Sequence, residues 1–400
     1  MSWKQALGGF LKSTPMLSMI GGVVATGTYV VYKDYTRLLR MVNTYKCGNI
    51  LPPLAENNFE VAYFSRPTEE KTISSILNND FSNEYYLING EVGVGKTRTM
   101  IEIVRQLIVT NGANKKGAPI YIHVSQGKSL PETLAAAVNF NFDEHISFSF
   151  FLDFVLRIES FPKKDNESKL IRVLDAIEES SFVYMLKTGK PVVIVIDGIN
   201  NLVKQMPGAL EKLQDKAKLW ADANIVKVVF INNDEETEEI LQKNSSSWSR
   251  AAKPIVFDDM SQEEALKFLI VDRLWETLVE GSSNKDIVMT AKEAQTIVQL
   301  VGGRVLDLLI FKRDYSKGCP IAVISEHVKD REREKFIHVS RFPSTWYVIS
   351  ALRQAPNKSM KLSKLIKLTS QEDVYTLVRH NIIRNSFQPF RDLGFAVTTA

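Results

Sequence analysis

The 400-residue sequence predicts an α/β fold, with a parallel sheet covered by helices, then a helical bundle and a small C-terminal domain. Three observations carry that expectation. Between residues 61 and 260 short β-rich runs alternate with longer amphipathic ones. One run, Tyr85–Asn89, leads directly into Gly90-Glu91-Val92-Gly93-Val94-Gly95-Lys96-Thr97, a glycine-rich turn before an amphipathic stretch. From residue 261 onward β-prone runs nearly vanish until the C-terminal end.

Composition narrows the class. With 44% apolar and 24% charged residues and a mean hydropathy of −0.09, the chain has the make-up of a globular protein large enough for two or three domains. A net charge of +4 is small for this length and does not by itself call for nucleic acid. The two cysteines, Cys47 and Cys319, are too far apart for a metal-ligand motif and too few for a disulfide framework, which fits a reducing compartment.

Taken in order, residues 1–32 contain an uncharged run from Ser13 to Tyr32. As a helix it would be about 30 Å long, the thickness of a bilayer's hydrocarbon core. Tyr29 and Tyr32 stand where an aromatic belt would lie, and Lys33, Arg37 and Arg40 follow. The expectation is a single-pass transmembrane anchor, with the rest of the chain on the cytosolic or matrix side of an organellar (mitochondrial) or endomembrane bilayer. Residues 33–60, with Gly48, Pro52 and Pro53, read as a linker. Within 61–260 the expected strands are Tyr85–Asn89, Ile120–Val124, Val192–Ile196, Val226–Ile231 and Ile255–Phe257, and Met100, Ile101, Val104, Leu107 and Ile108 share one face of a helix over Thr97–Val109. Residues 261–330 read as a helical lid bundle. Residues 331–400 hold three short helices and a β-prone end, the order of a winged helix-turn-helix.

The octapeptide Gly90–Thr97 fits G-x-x-x-x-G-K-[ST] at every fixed position, between an apolar strand and a helix. Its glycines let backbone N–H groups turn toward a phosphate, and the helix N-terminus adds favourable potential. Lys96 would reach the β- and γ-phosphates, Thr97 would ligate Mg²⁺, and Arg98 follows on the first helical turn. The run Pro191-Val-Val-Ile-Val-Ile-Asp197 has the form of a buried strand presenting a carboxylate at its end, so Asp197 is the second candidate metal ligand. The cofactors expected are ATP and Mg²⁺.

With the strand Ile120–Val124 lying between these two motifs in sequence, the chain resembles the ASCE division of P-loop NTPases, and within it the STAND and AAA+ ATPases, over roughly residues 61–315. It has no N-K-x-D motif of the kind that selects guanine. Tyr63-Phe-Ser-Arg66-Pro-Thr-Glu69-Glu70 looks like the family's "hxxR-x-x-E" segment beside the base. The resemblance implies a polar sensor at Asn232 or Asn233, an arginine finger at Arg250 and a sensor arginine at Arg304. The bland readings are a strand-end turn at Asn232 and Asn233, a solvated charge at Arg250, and a helix-start residue at Arg304. His123 reads as a packing residue.

One departure matters. AAA+ enzymes place an acid directly after the metal aspartate, and here that position is Gly198; Asp197-Gly198-Ile199-Asn200-Asn201 looks like the NACHT-type D-G-h-D-E with both later acids replaced. Asparagine orients water but accepts no proton at neutral pH. The expectation is good ATP binding and slow hydrolysis, with Asp234 or Glu235 as substitute bases. The reading is a membrane-anchored, nucleotide-dependent switch or assembly factor with a protein partner or self-association. One alternative is an oligomeric AAA+ ATPase that remodels membrane proteins, using Arg250 in trans. The other is a DNA-binding ATPase, prompted by Lys358, Lys361, Lys364 and Lys367 in the tail; a lysine stripe is the usual mark of a solvated face, so nucleic acid is the less favoured partner.

Overall fold

The chain's structure, a computed structural model, describes residues 14–51, 63–78, 83–112, 117–142, 165–206, 208–270, 289–339, 343–355, 359–370, 373–374, 377, 383–386 and 394–397. Its main sheet contains β1 (Tyr86–Gly90), β2 (Ile120–His123), β3 (Val192–Asp197), β4 (Val226–Ile231) and β5 (Ile255–Phe257), in the order β2-β3-β4-β1-β5. The strand following β1 in sequence, β2, therefore lies at an edge, beside β3. The chain divides into two compact units, residues 1–51, 76–85 and 104–229 in one and 52–75, 86–103 and 230–400 in the other.

In the first unit β2 runs parallel to β3, with Ile120 opposite Ile194 and His123 opposite Asp197. Ile120, Ile122, Ile194, Val195, Ile196, Val226, Val228 and Val229 are all buried. Strands this uniformly aliphatic form where helices cover both faces of a sheet. The helix Asn166–Thr188 is started by Asp165, whose carboxylate accepts from the Ser168 N–H, and stopped by Gly189 at φ 71°. Lys227, fully buried on β4, donates to the Ile76 carbonyl at 2.8 Å, at the end of the helix Pro67–Asn78 where the dipole favours a cation.

The N-terminal region departs from the expected linker. One helix runs from Thr14 to Cys47, straight through much of the stretch read as a linker. Its second half packs on the helix Asn166–Thr188: Met41, Val42 and Tyr45 are buried, the Tyr45 and Tyr184 rings meet edge-on at 5.9 Å, the Tyr45 hydroxyl bonds Ser180 at 2.8 Å, and Arg37 pairs with Glu179 at 3.2 Å. Among the described residues no helix is long and apolar enough to cross a membrane. The uncharged run satisfied the length rule, but Gly21, Gly22, Gly27, Thr26 and Thr28 dilute its hydropathy. Ser13 itself lies outside the described residues.

In the second unit β1 runs parallel to β5, with Gly90 opposite Phe257, and the Asn232 N–H at the end of β4 donates to the Ile88 carbonyl at 2.9 Å. The bundle comprises the helices Gln262–Ile270, Ala291–Val301, Val305–Ser316 and Ile321–Val339, around Phe268, Leu269, Ala294, Ile297, Leu308, Phe311 and Ile324. Thr290 and Glu293 form a capping box that fixes where Ala291–Val301 begins. At the C-terminal end the helices Pro343–Gln354 and Leu362–Leu368 accompany β6 (Ser359–Lys361), β7 (Ile383–Ser386) and β8 (Gly394–Val397), an antiparallel sheet in the order β6-β8-β7. Lys358, Arg379, Phe387 and Phe390 lie outside the described residues.

Candidate nucleotide-binding site

The glycine-rich turn is shaped by backbone geometry that other residues resist. Gly93 and Gly95 adopt φ of 90° and 102°. At Gly93 a Cβ would also come within 3.0 Å of the Leu306 Cβ. The turn delivers Lys96 and Thr97 to the start of the helix Lys96–Leu107, whose apolar face, Met100, Ile101, Ile103 and Val104, is buried. Lys96 is buried, and its ammonium donates to the carbonyls of Gly90 at 2.6 Å and Glu91 at 2.8 Å.

Beside this turn lies a cavity of about 320 Å³. Val92, Gly93, Val94, Gly95, Lys96, Thr97 and Arg98 line it at the loop; Tyr63, Phe64, Phe268, Leu306 and Leu309 give it an apolar wall; Asn233 faces it too. Arg66 holds the segment that carries Tyr63 and Phe64: its guanidinium donates to the carbonyls of Asp258 at 2.8 Å and Val94 at 3.3 Å, pairs with Glu69 at 2.6 Å and lies over the Phe257 ring. The Tyr63 hydroxyl donates to Glu70 at 2.6 Å. Burial, reinforced by Glu70, raises that phenol well above its ordinary value, so it stays a neutral donor.

Arg304 meets the loop from the bundle. Its guanidinium bonds Asp259 at 3.0 Å, pairs with Glu91 and reaches the Val92 carbonyl at 3.4 Å, while the Leu306 N–H donates to the Gly93 carbonyl at 3.0 Å. Burial opposes the charge of Arg304, but Asp259 and Glu91 more than offset it and hold the guanidinium above its usual value. Glu91 is thus tied to Arg304 and does not line the cavity, and neither does Arg304.

The two asparagines at the end of β4 separate. Asn232 is buried, and its amide donates to the side chain of Asn89 at 3.3 Å and to the Asp234 carbonyl. Asn89 in turn donates to Glu238 at 2.6 Å. Asn233, not Asn232, faces the cavity. Asp234, expected as a substitute base, caps the helix Glu235–Lys243 by accepting from the Thr237 N–H at 2.9 Å. Arg250 is exposed in the turn after the helix Ser245–Trp248 and lies away from the cavity lining.

In the first unit Asp197 ends β3 with 1% exposure, its Oδ2 accepting from the Tyr121 hydroxyl at 2.6 Å. Burial and the adjacent carboxylate raise the Tyr121 phenol far above its ordinary value, so it remains the donor. His123 is half exposed, with Nδ1 3.9 Å from the same oxygen, and so is not the packed core residue read from the sequence. The turn after Asp197 is closed: Gly198 has φ 80°, a Cβ there would stand 2.8 Å from the Val124 carbonyl oxygen, and Asn201 donates to that carbonyl at 2.7 Å. The missing acid has no room in this turn. Tyr121 escaped sequence reasoning because a buried strand tyrosine looks like any other; only its register two residues from His123, opposite Asp197, gave a signal.

No protein-family profile matches the chain. It is 22% identical over 207 residues to Mitochondrial escape protein 2 of Eremothecium gossypii, a match that takes in 50% of this chain and 24% of that protein, so the chain spans about a quarter of the length of the curated relative it matches. Among solved structures it superposes on the Walker-type ATPase paby2304 of Pyrococcus abyssi with a TM-score of 0.50 at 15% identity, covering 86% of this chain and 96% of that one. The ORC2 protein of Aeropyrum pernix, in its ADPNP–ADP complexes, superposes with a TM-score of 0.49 at 12% identity, covering 88% and 93%. The fold is that of an α/β P-loop ATPase.

Proposed function

We propose that this chain binds ATP with magnesium, hydrolyses it slowly, and works as a nucleotide-dependent switch or assembly factor of the STAND/AAA+ kind. The observation that carries the reading is the 320 Å³ cavity of the second unit, which joins a phosphate-type loop to an apolar, aromatic wall. A purine nucleotide has that same division, charged at one end and flat and apolar at the other. The residues fit the phosphates: Lys96 rests on carbonyls of its own loop and exchanges them for phosphate oxygens, and N–H groups of the turn complete the cradle. Thr97 and Asp197 are assigned to the magnesium on their motif positions, and Tyr121 keeps Asp197 oriented. Bound magnesium would neutralise charge on the β- and γ-phosphates.

Two further elements support the switch. Leu306 bonds the loop at Gly93 and Arg304 bonds it at Val92 and Glu91, so a change in the loop is felt at the head of the helix Val305–Ser316. The succession of helix, strand, helix and two further strands from Pro343 to Val397 supports a winged helix at the C-terminal end. An oligomeric reading is favoured by Arg250 alone, exposed where a finger acting on a neighbouring copy would be. For DNA the support is Lys364 and Lys367, both exposed. The compartment we propose is the mitochondrion, supported by the name of the relative at 22% identity; fractionation that finds the protein elsewhere would remove it.

The test is Lys96→Ala in the full chain. At about 100-fold excess over its Kd, Mg-ATP is expected to stabilise the parent by about 2.7 kcal/mol. The variant should melt as the nucleotide-free parent does and gain nothing from Mg-ATP. Equal stabilisation of both proteins would remove the P-loop from the reading.

A further inference from the structure

Asp197 is a carboxylate with almost no contact with solvent, and such a group needs its oxygens held by donors. The Tyr121 hydroxyl is such a donor, bonding Oδ2 at 2.6 Å. The bond arises from strand geometry. Tyr121 pairs with Val195 on the neighbouring strand, two residues before Asp197, and its ring spans the about 6.6 Å that two strand residues cover. Phenylalanine would fill the same space, so packing does not require the hydroxyl. A carboxylate is planar and rigid, and tying down Oδ2 fixes where Oδ1 points.

We propose that Tyr121 is a positioning residue for the magnesium site, holding Asp197 in the one orientation that serves the metal. The proposal rests on the nucleotide reading above and deepens it. His123 stands 3.9 Å from Oδ2 and is half exposed, so it does not share the bond. The backbone of Asp197 is held as well: its carbonyl accepts from the Val124 N–H at 2.8 Å, and Asn201 donates to the Val124 carbonyl at 2.7 Å. With backbone and carboxylate both held, little freedom is left to the aspartate. Groups that orient metal ligands in this way typically carry about 10–100-fold in metal affinity.

The experiment titrates MgCl₂ into the full chain at fixed ATP and follows thermal stability, beside a parallel ATP titration in EDTA. Tyr121→Phe is expected to raise the magnesium half-saturation by about 10–100-fold while ATP binding in EDTA is unchanged. A 4-aminophenylalanine at position 121, which restores a donor, should bring the half-saturation back toward the parent's. Where Tyr121→Phe leaves the chain unfolded, 4-methylphenylalanine, of the phenol's size but without a donor, takes its place. Parent-like magnesium titration of the donor-less protein overturns the proposal, as does an equal loss of ATP binding in EDTA, which would mark a merely structural role. A parent that gains no stability from ATP with or without magnesium is a different result, for it removes the nucleotide reading itself.

Discussion

At the phosphate loop, buried cations rest on acceptors of the protein itself: Lys96 on two loop carbonyls, Arg304 on Asp259 and Glu91. At the end of β3 the buried group is an anion, and its strong partner is a neutral phenol. Under the proposed function the first arrangement exchanges: a lysine already bonded to carbonyls would lose little in trading them for phosphate oxygens. The second arrangement is fixed, because a phenol that stays protonated between strands has nothing to exchange with. Glu91, though part of the glycine-rich turn, pairs with Arg304 and does not line the cavity.

The largest break in this comparison should come from Arg304→Ala. Its side chain is 5% exposed and faces Glu91 at 15% and Asp259 at 18%, so removal leaves two shielded carboxylates without their cation. Breaking a buried pair in this way costs about 3 kcal/mol or more. Chemical denaturation should show that loss, and the triple variant Arg304→Met with Glu91→Gln and Asp259→Asn should recover most of it. A loss below about 0.5 kcal/mol would mean that the arginine is solvated and holds nothing.

At the fixed end, Gly198→Glu asks whether restoring the missing acid restores speed. The backbone at φ 80° and the Val124 oxygen 2.8 Å from a Cβ both resist it, and strain of this kind costs about 1–3 kcal/mol. The variant should therefore be less stable and hydrolyse ATP no faster than the parent, whose turnover should lie below the enzyme median of about 10 s⁻¹. A faster variant would show that the turn opens to admit a base.

The smallest effect sharpens the picture behind the loop. Glu238, bonded to Asn89, is pushed above the ordinary carboxylate range by burial first and by Glu239, against the pull of Gln242. A carboxyl raised in the folded state favours folding fully below its unfolded value, and that advantage is lost as pH rises through the folded one. Glu238→Gln should thus raise the melting temperature at pH 8 and leave it unchanged at pH 4. A gain that persists at pH 4 would assign the effect to packing.

Much of the fold was legible because its signals are local. The strands β2 to β5 fall within a residue or so of the hydrophobic runs that announced them, and Gly90–Thr97 forms the turn its glycines require. The helix Thr14–Cys47 was misread for the opposite reason. What its second half does, with Met41, Val42 and Tyr45 buried, depends on a partner, the helix Asn166–Thr188, far along the chain. Asn232 and Asn233 are equivalent in the sequence, and the end of β4 turns one inward and the other to the cavity.

By itself, then, the sequence determined what depends on neighbours in the chain: the phosphate turn, the aliphatic strands with Asp197 at the end of one, and the caps that start and stop helices. Tertiary structure alone decided which distant groups meet. It set Tyr121 on Asp197, Arg304 between Glu91 and Asp259, and the Val124 carbonyl over Gly198. The physical reason is range: backbone conformation follows from a few adjacent residues, whereas a buried charge takes its partner from whichever strand or helix the sheet order brings beside it.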